Sequence, residues 1–118
     1  MSTALLSATL CPGSVSAAEL TTKTYSIIVT ENCGEGDVAC QDVSYVGTNR
    51  LNGKTIHLKG RTLVAMCKDG VTPCHHQGYE FRNGKYVYVV ADQGWLEISR
   101  NDKVILYEAG EWNRDTPN

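Results

Sequence analysis

Past Ala18 the chain has no apolar run long enough to cross a membrane as a helix. Nor does any window of ten or more residues repeat its apolar positions every 3.6 residues, so no amphipathic helix is expected. No Gly-rich phosphate loop and no Gly-x-Ser-x-Gly nucleophile elbow occur. An Asp-x-Asp-x-Asp-Gly run, the start of a twelve-residue calcium loop, is also missing. Positive charge is not in excess: 11 Lys and Arg face 13 Asp and Glu, a net charge of −2. Non-specific nucleic-acid binding therefore has no electrostatic basis. The first eighteen residues carry no charge at all.

What the chain does have is one cysteine frame used twice. Cys33 to Cys40 and Cys67 to Cys74 both read Cys-x6-Cys, each with Gly and Asp inside. Tyr45 and Tyr79 stand five residues beyond the second cysteine of each pair. Further on, each copy reaches Asn-Gly-Lys, at Asn52-Gly53-Lys54 and Asn83-Gly84-Lys85. This pattern reads as one structural unit used twice, each copy closed by a covalent staple.

Residues 1–18 read as a signal peptide, with a short apolar run at Ala4-Leu5-Leu6 and small residues at Val15-Ser16-Ala17-Ala18 for cleavage after Ala17 or Ala18. A basic start to that segment is absent. The fifth cysteine, Cys11, falls inside it, after a Leu10 too large for a lipoprotein signal. Four cysteines then remain in an exported chain of about one hundred residues, the setting in which cysteines form a disulfide framework. Four cysteines allow three connectivities. Closing an eight-residue loop stabilises by roughly 2.5 kcal/mol and a 35-residue closure by nearly 4, so entropy leaves the crossed pairings open. The repeat favours the local pairs, Cys33 with Cys40 and Cys67 with Cys74.

From residue 22 onward the apolar period is two. Strand-like runs lie at 24–30, 42–48, 54–59, 61–67, 78–82, 85–91, 95–99 and 103–108. Between them sit Asn52-Gly53, Lys59-Gly60, Asn83-Gly84, Gln93-Gly94 and Asn101-Asp102, the residues that tight hairpin turns require. The expected fold is all-β: one antiparallel meander of about eight short strands closing into a small barrel or sandwich, because a flat sheet would leave two adhesive edges. The single β domain is expected over 19–112, with 113–118 as a loose tail and Trp112 positioned to cover one barrel mouth.

Charge is zoned. Residues 24–49 hold four acids and no base, and 50–68 hold five bases and no acid. Such zones steer contact with a partner or simply coat half-buried strands. Cys74-His75-His76 is the most reactive-looking cluster, but an oxidised cysteine is neither a nucleophile nor a metal ligand, and adjacent strand residues point apart. The x6 spacing also fits zinc poorly. No catalytic residue, cofactor or metal is therefore assigned, and His75 and His76 are read as solvent-facing. Tyr79, Tyr86, Tyr88, Trp95 and Tyr107 form an aromatic set that serves either as packing or as a surface for a sugar or protein.

Asp-Val-Ser-Tyr-Val-Gly-Thr-Asn at 42–49, Asp-Gly-Val-Thr-Pro-Cys at 69–74, the run from Gly78 to Tyr88 and the late Gly110-Glu111-Trp112 resemble small exported proteins of Gram-negative bacteria. In general plan the chain is also similar to periplasmic C-type lysozyme inhibitors, a resemblance that implies an eight-stranded barrel. Those inhibitors carry Ser-Gly-x-x-Tyr, whereas the nearest text here is Gln77-Gly78-Tyr79-Glu80-Phe81, so no inhibitory residue carries over. The expected function is that of a periplasmic or secreted, non-enzymatic binding protein acting on a protein or other cell-envelope partner, in its sharpest form an inhibitor or immunity-type protein. The stapled loops would make the contact, through Glu35, Asp37, Lys68, Asp69, His75 and His76. A small-ligand or metal-binding barrel and an enzyme are the alternatives.

Overall fold

The structure, a computed structural model, describes residues 16–33 and 39–113. Among them are eight strands: β1 (Ser16–Thr22), β2 (Tyr25–Glu31), β3 (Val43–Asn49), β4 (Thr55–Met66), β5 (Pro73–Asn83), β6 (Tyr86–Ala91), β7 (Trp95–Arg100) and β8 (Lys103–Asn113). Each pairs antiparallel with the next, and β1 pairs with β8, so the meander closes into a barrel. Closure removes both sheet edges. No helix among the described residues is long and apolar enough to cross a membrane.

Alternation decides which side chains enter. Leu20, Ile27, Val29, Val43, Tyr45, Tyr79, Phe81, Val90, Leu96 and Ile98 form the core, with Tyr25, Tyr86, Tyr88 and Trp112 packed against it. Lys59, Arg61 and Arg82, each beside an inward residue, are exposed. The apolar interior differs from the polar lumen of a lipid-embedded barrel.

Two boundaries differ from expectation. The runs at 54–59 and 61–67 are one strand, β4, because Gly60 serves close packing and not a turn. A Cβ at Gly60 would collide with the carbonyl oxygen of Glu80 on β5, so glycine lets the strands approach where the barrel wall bends. The eighth strand is β1, whose first residues, Ser16 to Ala18, pair with Glu31 to Val29. Residues 1–15, and with them Cys11 and most of the expected leader, lie outside the described residues, as do 114–118 of the expected tail. Asn113 itself belongs to β8.

The turns follow their chemistry. Asn101 and Asp102 both take positive φ, 50° and 67°, as a type I′ turn demands. In the β5–β6 hairpin Gly84, at φ 61°, is the first of the two loop residues, the type II′ arrangement, so this turn sits one residue later than Asn83-Gly84 suggests. Connections of a meander alternate between the two ends. The β2–β3 and β4–β5 loops and the β6–β7 turn therefore share one end, and the Asn-Gly-Lys turns lie at the other. The sequence repeat is thus a β-hairpin unit with its staple at one rim and its Asn-Gly turn at the opposite rim.

Candidate functional site

Both staples form locally: Cys33 bonds to Cys40 and Cys67 to Cys74, with Cα separations of 5.7 and 5.1 Å. Their surroundings differ. Cys40 is fully buried and Cys33 packs against the core. The Cys40 N–H donates to Thr62 Oγ1 and the Thr62 N–H to the Cys40 carbonyl, both at 2.8 Å. The second staple stands outside the core, and Cys74 is exposed.

The loop between Cys67 and Cys74 is fixed by more than its disulfide. Asp69 Oδ1 accepts from the Val71 and Thr72 backbone N–H groups, and Oδ2 accepts from the Thr72 hydroxyl. These bonds, the Thr72 hydroxyl first, hold the Asp69 carboxyl below its ordinary range. The Cys67 N–H donates to the Thr72 carbonyl at 2.7 Å, and Gly70 takes φ +78°. Asp69, expected to face a partner, is thus occupied in building the loop. Lys68 and His75 are exposed. Glu35 and Asp37 lie outside the described residues. Apolar Val71 on this loop is 74 % exposed, and Met66, the last residue of β4 before it, is 52 % exposed. No charge or motif marked them, since a hydrophobic residue in sequence does not disclose that its loop turns it outward.

His76 is half-buried and not simply solvent-facing. Its Nδ1 lies 2.6 Å from Asp92 Oδ2, and its Nε2, itself buried, lies 3.5 Å from Glu31 Oε2. Glu31 in turn accepts a 2.8 Å hydrogen bond from the Tyr79 hydroxyl. A register shift between β4 and β5 creates this cluster: Leu63 opposes Gly78, while Val64 opposes His76, leaving Gln77 as the extra residue. Three residues along a regular strand would set His76 and Tyr79 on opposite faces. The bulge restores them to one face. The Asp92 N–H donates to the Gln77 carbonyl at 3.0 Å, fastening the β6–β7 turn beside the bulge. Trp112 closes the inner side, its indole N–H donating to the Ala91 carbonyl at 3.2 Å. Trp112 belongs to β8 and packs against the core.

Chemically the trio is an imidazole held between two carboxylates, one at each ring nitrogen. Among the described residues no three His, Cys, Asp or Glu side chains converge as a metal site. The two histidines are not brought together: His75 is exposed while His76 joins the rim.

Outside the wall, beside Gly78, is a cavity of about 340 Å³. Both register partners of Gly78, Leu63 and Ala91, line it, together with Val89 and Trp95. His76 and Asp92 reach its edge, with Gln77 and Gln93. The aromatic set divides accordingly. Tyr79, Tyr86 and Tyr88 pack on the core, whereas Trp95 faces outward and stacks on Tyr107 with ring centroids 5.7 Å apart.

The acidic and basic zones meet at Lys59 and Asp42, 3.1 Å apart, while Arg61 of the basic zone pairs at 2.8 Å with Glu80 outside the acidic one. No protein-family model, curated protein or solved structure matches the chain.

Proposed function

We propose that the protein is an exported, non-enzymatic binding protein that engages a protein partner through the stapled rim of its barrel, with inhibition of that partner as the sharpest form. The observation that supports this most is the β4–β5 loop: a disulfide, the Asp69 hydrogen bonds and the Cys67–Thr72 backbone bond hold exposed Val71 and Met66 at a fixed place. A pre-organised loop loses little entropy on docking, and an apolar tip gains from burial. Disulfides of this kind persist in oxidising compartments, which supports export. Cleavage after Ala18 would also spare the barrel seam, since β1 pairs with β8 only through Glu19 to Thr22.

A photo-crosslinker placed at Val71, and separately at Leu51, tests the reading. Leu51 is 81 % exposed in the β3–β4 turn at the opposite rim. Crosslinking to one discrete cell-envelope protein from Val71 and not from Leu51 is the expected result. Equal labelling from both positions, or labelling from Leu51 alone, would overturn the assignment of the rim.

A further inference from the structure

We propose that the outer wall of β4 and β5 carries a second contact, a basic hollow that receives the carboxylate of an aspartate or glutamate side chain presented by the protein partner. The proposal rests on the binding-protein reading above and adds the chemistry of one contact.

Strand alternation builds the hollow. Lys59 and Arg61 stand two residues apart on β4 and so share a face, as do Glu80 and Arg82 on β5. Between them Gly60 and Phe81 are register partners, and Phe81 lies in the core, which puts the four charged side chains outside. With Gln41 and Gly60 they line a cavity of about 330 Å³.

The ion pairs leave one cation short of a partner. Arg61 Nη2 lies 2.8 Å from Glu80 Oε1, and Lys59 Nζ lies 3.1 Å from Asp42 Oδ1. Arg82 has no such bond. Its Nη2 lies 3.7 Å from Glu80 Oε2, beyond hydrogen-bond length, and its side chain is 70 % exposed. Among the described residues, three cationic heads thus face two carboxylates, Glu80 and Asp42, and one positive charge is left over. Arg61 and Lys59 also keep unused N–H donors, since a guanidinium has five and an ammonium three.

That excess selects a single negative charge. A dianion would bring more charge than the hollow can balance beside Glu80, and a neutral or cationic group gains nothing from Arg82. A polyanion such as a nucleic acid would also meet the rest of the chain, whose net charge is −2. One carboxylate feels only the local field, because more distant charges are screened within about 10 Å. Its two oxygens match the fork of a guanidinium. The same two strands carry the Val71 loop. Arg61 stands five residues before Met66, roughly 17 Å along β4, well within the roughly 800 Å² that a protein interface covers on each side.

The test is a titration of the intact protein with N-acetyl-Gly-Glu-Gly-amide at low salt, followed by NMR through the Gly60 N–H and the Arg61 Nε–H. A saturable shift is expected, with binding about tenfold weaker for the glutamine peptide, which keeps the shape and loses the charge. Arg82→Gln should weaken the glutamate response about fivefold, the upper size of one exposed ion pair. Lys103→Gln removes the same charge from an exposed site at the start of β8 and should change the response less than about twofold. Core resonances of Tyr45 and Phe81 report an intact fold in both variants. Equal response to the glutamate and glutamine peptides, equal weakening by the two substitutions, or tighter binding of dimethyl phosphate than of the glutamate peptide would each overturn the proposal. The titration needs no partner protein, so its failure leaves crosslinking at Val71 standing, and failed crosslinking leaves a positive titration standing.

Discussion

His76 and Tyr79 stand three residues apart on β5, yet their rings meet with centroids 4.9 Å apart. Only the bulge at Gln77 makes that possible, and Gly78 makes the bulge possible. Gly78 holds φ +149°, and a Cβ there would collide with the Val90 carbonyl oxygen. Gly78→Ala must therefore move backbone on β6 as well as strain its own. The expected cost is roughly 1–3 kcal/mol, read from urea unfolding. The His76 imidazole resonances should shift in the folded variant, because the ring loses its fixed approach to Asp92. Unchanged stability would mean that β5 tolerates a side chain at this point and that the bulge is not glycine-dependent.

The two staples close loops of the same length and should not be worth the same. Loop closure alone gives each roughly 2.5 kcal/mol. Converting both members to serine adds a further loss only where the hydroxyls are buried. Cys40 is fully buried, whereas Cys74 is exposed. Cys33→Ser with Cys40→Ser is therefore expected to cost about 1–3 kcal/mol more than Cys67→Ser with Cys74→Ser. Denaturant unfolding of the two double variants measures the difference. Equal losses would show that Cys40 gains nothing from its place in the core.

Period-two alternation and Asn-Gly turns carried the fold class, because each strand has one face in the core and so writes its orientation into the sequence. The twofold Cys-x6-Cys frame carried the disulfide pairing for the same local reason. Gly60 misled, since a glycine that admits a neighbouring strand and a glycine that makes a turn look alike in one chain. The start of β1 was hidden because Ser16, Ala17 and Ala18 are small, uncharged residues that also suit a signal peptide. The rim cluster was harder still. Glu31, His76 and Asp92 come from three different parts of the chain, and a one-residue register shift decides which way His76 points. No local pattern encodes that shift. His75 and His76 stood out as neighbours, yet the bulge beside them turns only His76 into the rim cluster.

Glu108 is a carboxylate inside the opposite end of the barrel, and it anchors the β1–β2 turn. Its Oε1 accepts from the Thr22 hydroxyl at 2.7 Å and the Thr24 N–H at 3.1 Å, and its Oε2 accepts from the Thr24 hydroxyl at 2.6 Å. Burial alone would raise its pKa, but these three bonds, with nearby Lys23, outweigh it and lower the value. A lowered folded pKa gives stability that is present above the unfolded value, near pH 4.3, and is lost as pH falls through the folded one. Glu108→Gln keeps the shape and removes the charge, at a cost of about 1–3 kcal/mol near neutral pH. The variant should also lose less stability than the parent on acidification below about pH 4. Parallel acid limbs for the two proteins would place the acid sensitivity elsewhere.

Tyr45 is expected to set the alkaline limit. Its ring packs on Phe81 and Tyr88, with centroids 5.0 and 5.5 Å away, and only 1 % of its surface is exposed. Burial raises its hydroxyl pKa well above the ordinary tyrosine range, and Tyr88 and Tyr25 nearby add to the shift. Tyr88 is raised as well, chiefly by burial. The unfolded chain releases these protons near pH 10 while the folded one retains them. Stability is therefore full below that value and falls as pH rises toward the folded pKa. Tyr45→Phe leaves the ring in place and removes the proton, so its loss of stability between neutral pH and about pH 11 should be smaller than the parent's. At the same time the parent's tyrosinate absorbance should rise in two stages, exposed rings first and the core rings together with unfolding. A single smooth rise with no change in Tyr45→Phe would mean that water reaches this hydroxyl in the folded barrel.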